Sequence, residues 1–285
     1  MIKLMSPDCD GNCSGCASAN PDGSCGASSG SGIQKCVPNK STKIKKVIGV
    51  VSGKGGVGKS FVTSLLASYL NKEGKKVGIL DGDIVGPSIP KSFNIHSQAY
   101  GNEDRLIVPA ETLSGIKLIS SNMMLEHEDD PIIWRGSLVS SLLKQFYTDV
   151  AWGELEVLLI DMPPGTSDVP LTAFQSLPLD GIVVVTTPQE LVGMVVDKAI
   201  NMAKAMNIKV LGIVENMSYV ECPNCGEKIY VFGESHVDET AEKYGLDVLA
   251  RVPLDGRIAK MSDAGTIEEL KVTALDPAAD VIEKL

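Results

Sequence analysis

Gly53-Lys54-Gly55-Gly56-Val57-Gly58-Lys59-Ser60 decides how this chain is read. The stretch fits the phosphate-binding pattern G-x-x-x-x-G-K-[ST]. A short β-branched run, 47–51, leads directly into it, and a helical pattern over 59–73 follows. Each residue type has a physical reason. Glycine at 53, 55, 56 and 58 lets the backbone wrap around an anion with its N–H groups turned inward. The N-terminus of the following helix adds partial positive charge. Lys59 is placed to reach the β- and γ-phosphates of a nucleotide, and the Ser60 hydroxyl to bind Mg²⁺.

Working outward, short apolar runs recur at 77–80, 116–119, 157–160, 182–185, 210–214 and 248–252. They are rich in β-branched residues and do not alternate with polar ones, as expected for strands buried on both faces of a parallel sheet. Helical patterns lie between them at 137–149, 190–206 and 238–244. The alternation predicts a doubly wound, mostly parallel α/β P-loop domain over residues 46–285. Residues 1–45 have another texture. From 6 to 32 there is no Val, Ile, Leu, Met, Phe, Tyr or Trp, so the segment cannot bury enough surface to offset its ordering entropy. It reads as a flexible, Cys-rich tail, closed by a solvated linker carrying Lys35, Lys40, Lys43, Lys45 and Lys46.

Two carboxylate sites accompany the loop. The run 157–160 ends at Asp161, followed by Met162-Pro163-Pro164-Gly165-Thr166; the run 77–80 ends at Asp81-Gly82-Asp83. Ligands of open parallel sheets bind at the carboxyl ends of the strands. These aspartates are therefore assigned to the nucleotide site rather than to helix caps. Asp161 is placed to hold Mg²⁺, directly or through water, and the turn after it to sense the γ-phosphate.

Acidic residues number 36 and basic residues 26, a formal charge of −10. That balance argues against a chain that coats nucleic acid or an anionic membrane. No uninterrupted apolar run exceeds four residues, and Pro7, Asp8 and Asp10 interrupt the N-terminus before a secretory h-region forms. The expectation is a soluble cytoplasmic protein, where clustered thiols bind metal or do redox chemistry. The chain has 7 cysteines, and none between Cys36 and Cys222. Cys222-Pro223-Asn224-Cys225 is a C-x₂-C knuckle, half of a four-ligand site with no second pair nearby. Two-fold symmetry in a homodimer would complete it as Cys₄. Such a set holds zinc or an iron–sulfur cluster, and residue chemistry alone does not choose.

The second lysine of the loop, Lys54, gives Lys-Gly-Gly-Val-Gly-Lys-Ser. This resembles the deviant Walker A loop of the family containing MinD, ParA and the nitrogenase iron protein. The resemblance implies a homodimer that sandwiches ATP, with Lys54 acting on the partner's nucleotide. It also implies that Asp83 orients or deprotonates the attacking water, that Asp81 helps position Mg²⁺, and that Asn216 contacts the adenine edge, with Pro253 and Asp255 lining the base. The loop, Asp-Gly-Asp-Ile-Val-Gly-Pro-Ser-Ile-Pro (81–90), Asp-Met-Pro-Pro-Gly-Thr-Ser-Asp (161–168), Glu-Asn-Met-Ser (215–218) and Cys-Pro-Asn-Cys-Gly (222–226) occur in that order. Together they resemble the Mrp/ApbC-type iron–sulfur cluster carrier ATPases. That likeness implies a 4Fe–4S cluster bridging the dimer through Cys222 and Cys225, and transfer of the cluster to apoproteins.

Cys9, Cys13, Cys16 and Cys25 are similar to the tail of the eukaryotic branch, which holds a second 4Fe–4S cluster. The spacing C-x₃-C-x₂-C-x₈-C departs from that branch, and Cys36 competes with Cys25 as the fourth ligand. A zinc-binding or unliganded thiol tail is the other reading. Rivals for the whole chain are a MinD/ParA-type positioning ATPase and a metal-insertion ATPase for nickel or zinc. The acidic composition and the acidic C-terminal segment support neither a DNA face nor a basic membrane helix.

Overall fold

A computed structural model describes residues 35–285, apart from 85, 126–135, 166–167 and 190. In chain order the elements begin β1 (Lys43–Ser52), α1 (Lys59–Lys72), β2 (Val77–Asp81), α2 (Ile89–Ser92), β3 (Tyr100–Gly101), β4 (Ile107–Val108), β5 (Ala110–Glu111) and β6 (Lys117–Ile119). They continue with α3 (Gly136–Thr148), β7 (Glu154–Asp161), α4 (Asp168–Ser176), β8 (Gly181–Thr186), α5 (Leu191–Ala205) and β9 (Val210–Glu215). The last are β10 (Val220–Glu221), β11 (Lys228–Ile229), α6 (Val237–Tyr244), β12 (Val248–Arg251), α7 (Gly256–Asp263) and α8 (Asp276–Glu283).

The main sheet has the order β12-β9-β8-β1-β7-β2-β6-β5. Every neighbouring pair is parallel except β5–β6 at one edge. The expected doubly wound α/β fold is what forms. Successive side chains of a strand point to opposite faces, so the unbroken apolar runs feed two cores. On one face Val47, Val51, Leu158, Ile160 and Val184 pack with Leu143, Phe146, Phe174 and Ile200 from α3, α4 and α5. On the other, Ile48, Val50, Leu159 and Val183 pack with Val62, Leu66 and Leu70 of α1 and Ile282 of α8. Close packing fixes small residues in the strands. A Cβ on Gly78 would stand 2.6 Å from Leu155 Cδ1 and 3.1 Å from the Trp152 ring.

The topology positions the site. β1 lies at the centre, and the chain crosses over β7 to reach β2. Register puts Val50 opposite Asp161 on β7 and Asp161 opposite Asp81 on β2. Three strands therefore deliver the glycine loop and both acidic turns to one carboxyl edge.

The compact unit that holds the sheet begins at Lys35, earlier than the boundary after residue 45 expected from composition. Residues 35–45 are not a solvated linker. Lys35 Nζ donates to the carbonyls of Phe174 and Leu177 at 2.8 and 2.9 Å, at the end of α4. Lys46 Nζ donates to Ile282 and Glu283 at the end of α8. Cations at helix C-termini satisfy orphan carbonyls and oppose the dipole. Asn39 adds two bonds to the carbonyls of Thr148 and Val150. Cys9, Cys13, Cys16 and Cys25 lie outside the described residues.

Trp152 is fully buried, and its indole N–H donates to the Phe146 carbonyl at 3.0 Å. Truncation there leaves a cavity and an unpaired carbonyl. Trp152→Ala is expected to cost about 3–5 kcal/mol, read from the urea midpoint at unchanged m-value; a loss near zero would contradict this packing.

Candidate functional site

The glycine loop is shaped by its backbone. Gly56 and Gly58 both adopt φ +79, which favours glycine. A Cβ on Gly55 or Gly56 would meet nothing within 4 Å, whereas one on Gly58 would fall 2.1 Å from Asn216 Nδ2. The loop is thus open on one side and packed on the other. Gly58 caps α1 without any side-chain hydrogen bond, so the first N–H groups of that helix remain available to an anion. A cavity of about 320 Å³ adjoins the loop, lined among others by Gly56, Lys59, Ser60, Asp83 and Pro164.

Beneath it lies a buried charge pair. Lys59 Nζ stands 2.7 Å from Asp161 Oδ1, with the two side chains 5% and 0% exposed. The approach lacks hydrogen-bond alignment, so the ammonium is buried without an aligned acceptor. Such a group suits a phosphate oxygen. Asp161 is held by Ser60 Oγ at 2.5 Å and Thr63 Oγ1 at 3.0 Å, both from the first turns of α1. Asp81 accepts from Ser120 Oγ and from the Asp83 N–H. Burial, reinforced by the neighbouring Asp161 carboxylate, pushes Asp81 up to about 7. Burial also raises Asp83. Ser60, Asp161, Asp81 and Asp83 offer only oxygen donors, which fits a hard divalent cation such as Mg²⁺. The turns are tied to one another: the Gly82 N–H donates to the Asp161 carbonyl, and the Gly165 N–H to the Ser52 carbonyl.

Other expected residues fall differently. Asn216 is buried, and its amide donates to the Val57 carbonyl at 2.9 Å. This bond ties Asn216 to the back of the loop. Asp255 caps α7 through the Arg257 N–H and pairs with the Arg257 guanidinium. Lys54 Nζ donates to Gln189 Oε1 of its own chain at 2.6 Å. Thr166 of the turn after Asp161 lies outside the described residues. Thr63 and Gln189 escaped the sequence reading; only Thr63, one helical turn beyond Lys59, carried a signal.

Cys222 and Cys225 sit together on a hairpin. β10 and β11 pair antiparallel, and the Cys222 and Gly226 backbones close the connecting turn. Gly226 takes φ +73 there. The N–H groups of Asn224 and Cys225 point at the Cys222 sulfur and hold its thiol below the usual range, and Cys225 itself adds to this. Cys225 is exposed and Cys222 half-buried. Among the described residues no third His, Cys, Asp or Glu is grouped with these two thiols to hold a metal. Ile229, Tyr230, Val231 and Phe232 follow and are 38–53% exposed. Cys36 does not belong with them. It packs against the core under α3 and α4, and burial raises its thiol, which weakens it as a metal ligand.

Residues 43–285 match the family described as ParA, NUBPL iron-transfer P-loop NTPase. The chain belongs to this family. A relative from Clostridium perfringens, named iron–sulfur cluster carrier protein, is 46% identical over 91% of this chain and 94% of its own length. A relative of the same name from Methanocaldococcus jannaschii is 45% identical over 90% of this chain and 89% of its own length. A nucleotide-binding protein from Archaeoglobus fulgidus, solved in complex with ADP and with Co found in it, superposes with a TM-score of 0.72. It is 47% identical over 80% of this chain and 90% of that one. The cell division ATPase MinD of Pyrococcus furiosus shares the fold at 20% identity, with a TM-score of 0.60 over 84% of this chain and 99% of that one. Among the described residues no helix of this P-loop NTPase is long and apolar enough to cross a membrane.

The raised Asp81 gives a pH test. Its ordinary value is 3.8 and its folded value about 7, so the folded state holds the proton more tightly. Its contribution is complete at acid pH and is lost as the pH climbs towards neutrality. Nucleotide-free wild type is expected to lose stability relative to Asp81→Asn as the pH rises from about 5 to 7, by up to about 1 kcal/mol per unit. Parallel urea-unfolding curves for the two proteins would contradict it.

Proposed function

We propose that this chain is a homodimeric ATPase that holds a 4Fe–4S cluster between Cys222 and Cys225 of both subunits and passes it to apoproteins. One observation carries the reading. A phosphate-binding loop shares its compact unit with two neighbouring thiols, Cys225 exposed and Cys222 half-buried with its pKa lowered, that form half of a ligand set. Thiolates are soft anionic ligands suited to iron–sulfur clusters. The exposed apolar run 229–232 beside them suits a face covered by a second copy. Relatives at 45–46% identity carry the cluster-carrier name.

In this reading Lys59 and the loop N–H groups bind the β- and γ-phosphates of ATP. Ser60 and Asp161, helped by Asp81, would hold Mg²⁺, which supplies charge neutralisation at the phosphates. Asp83 faces the cavity and orients a water, taking its proton as the oxygen bonds to the γ-phosphorus and the bond to ADP breaks. Burial raises Asp83 and makes it a better base than an exposed carboxylate. Lys54 exchanges Gln189 for the partner's nucleotide when two copies close. The apoprotein recipients follow from the carrier role, and the cytoplasm from the reduced thiols it needs. The positioning-ATPase alternative fits less well: α8 buries Ala278, Ala279 and Ile282 in the core, so its apolar face is not free for a membrane. The tail thiols Cys9, Cys13, Cys16 and Cys25 are assigned a second cluster.

Anaerobic reconstitution with iron and sulfide tests this. The hairpin site should contribute about four irons and four sulfides per dimer, and Cys222→Ala should lose that share while still binding ADP. A chain lacking residues 1–34, which leaves Lys35 and Cys36 in the folded unit, should keep the hairpin cluster and lose the tail's iron. Zinc without sulfide in the wild type, or full cluster content in Cys222→Ala, would overturn the assignment.

A further inference from the structure

Glu215 is a charged side chain that no step above uses. It ends β9 with no solvent exposure. A buried carboxylate is costly unless it is hydrogen-bonded or paired. This one is gripped by the two feet of the thiol hairpin. Ser218 Oγ donates to Oε2 at 2.5 Å, ahead of the hairpin, and Ser235 Oγ donates to Oε1, just after it. Arg251 Nε, from the paired strand β12, lies 3.7 Å from Oε2. Ser235 Oγ also accepts the Val237 N–H that opens α6. The two flanks of residues 219–234, the segment with both cysteines, are thus tied to one carboxylate.

The same turn reaches the nucleotide loop. Asn216, the next residue, donates its side-chain amide to Val57 and its backbone N–H to the Thr186 carbonyl. Three residues beyond Thr186, Gln189 receives Lys54. Met217 completes the turn at φ +56, an uncommon conformation for a residue other than glycine. Beside Glu215 a cavity of about 40 Å³ is lined by Thr187, Gln189, Ser235 and His236. Thr187 Oγ1 is buried there without a partner. The contact between loop side and hairpin side is therefore not fully packed, and small shifts have room.

We infer that Glu215 is a positioning residue that couples the nucleotide loop to the thiol hairpin. A change in the loop backbone at Val57 moves Asn216. The short turn passes that movement to Glu215, and the carboxylate carries both hairpin feet with it. The inference rests on the hairpin being the cluster site, but its test needs no cluster. Coupling of two sites is a free energy shared between them.

The experiment uses the full reduced chain without metal. Iodoacetamide alkylation of Cys222 and Cys225 is followed by peptide-resolved mass spectrometry, without nucleotide and with saturating Mg²⁺ and a non-hydrolysable ATP analogue. Wild-type rates are expected to differ about fivefold or more between the two states. In Glu215→Gln and in Ser235→Ala the two rates should converge, with ADP affinity within about twofold of wild type. Ser235→Ala keeps the carboxylate and one foot, so it carries the test if Glu215→Gln does not fold. A purely structural role would lower stability but leave the nucleotide response intact. Wild-type rates that ignore nucleotide, or variants that respond as wild type does, overturn the inference. Failure of iron–sulfur reconstitution would overturn the cluster reading alone and leave the alkylation result standing.

Discussion

The buried pair of Lys59 and Asp161 is the constraint on which the site depends. Burying two opposite charges is expensive, and a pair of this kind persists only when other groups satisfy what remains. Here Ser60 and Thr63 complete Asp161, and nothing aligned completes Lys59. The pair holds α1 to the end of β7. It keeps the lysine low in the loop, where a phosphate can become its second partner. Burial, and after it this same carboxylate across the β2–β7 register, raises the neighbouring Asp81. One negative charge at this edge is thus matched by Lys59, and a second stays protonated until a cation or higher pH removes the proton.

The fold places two kinds of chemistry on one compact unit. Phosphate chemistry sits at the carboxyl edge beside β1. Thiol chemistry sits on a hairpin between β9 and α6, with its feet on Glu215. The turn 215–218 lies between them and touches both. In the proposed carrier, binding and release of the cargo would require the nucleotide state to be felt at the thiols. The short path through this turn supplies a physical basis for that requirement.

Much of this was legible in the chain itself. The continuous β-branched runs marked the strands because both faces of the sheet are covered. The glycine loop, the two acidic turns and the C-x₂-C knuckle were legible because each demands particular residue types at fixed spacing. Other parts were hidden for identifiable reasons. Residues 43–46 alternate in exposure and lack the apolar signature of the rest of β1. α4 carries Pro170 near its start, and α8 opens on Asp276-Pro277, so neither shows a clean helical period. The helix-capping roles of Lys35 and Lys46 depend on carbonyls far away in sequence, which no local pattern announces. That the Asn216 amide would also brace the loop at Val57, in the space that Gly58 leaves, had no sequence signal. Glu215 stood inside a recognised motif, but its partners lie on both sides of a hairpin whose closure only the structure reveals.

Lys59 is placed to be shared between Asp161 and a phosphate. ADP titration in EDTA isolates it, because no cation then contributes. The Lys59→Met/Asp161→Asn double variant removes both buried charges together and avoids leaving one unpaired. The double variant is expected to stay folded and to bind ADP roughly 10- to 100-fold more weakly than wild type, as the loss of a charge-assisted bond of about 1.5–3 kcal/mol requires. Equal ADP affinity in the two proteins would contradict it.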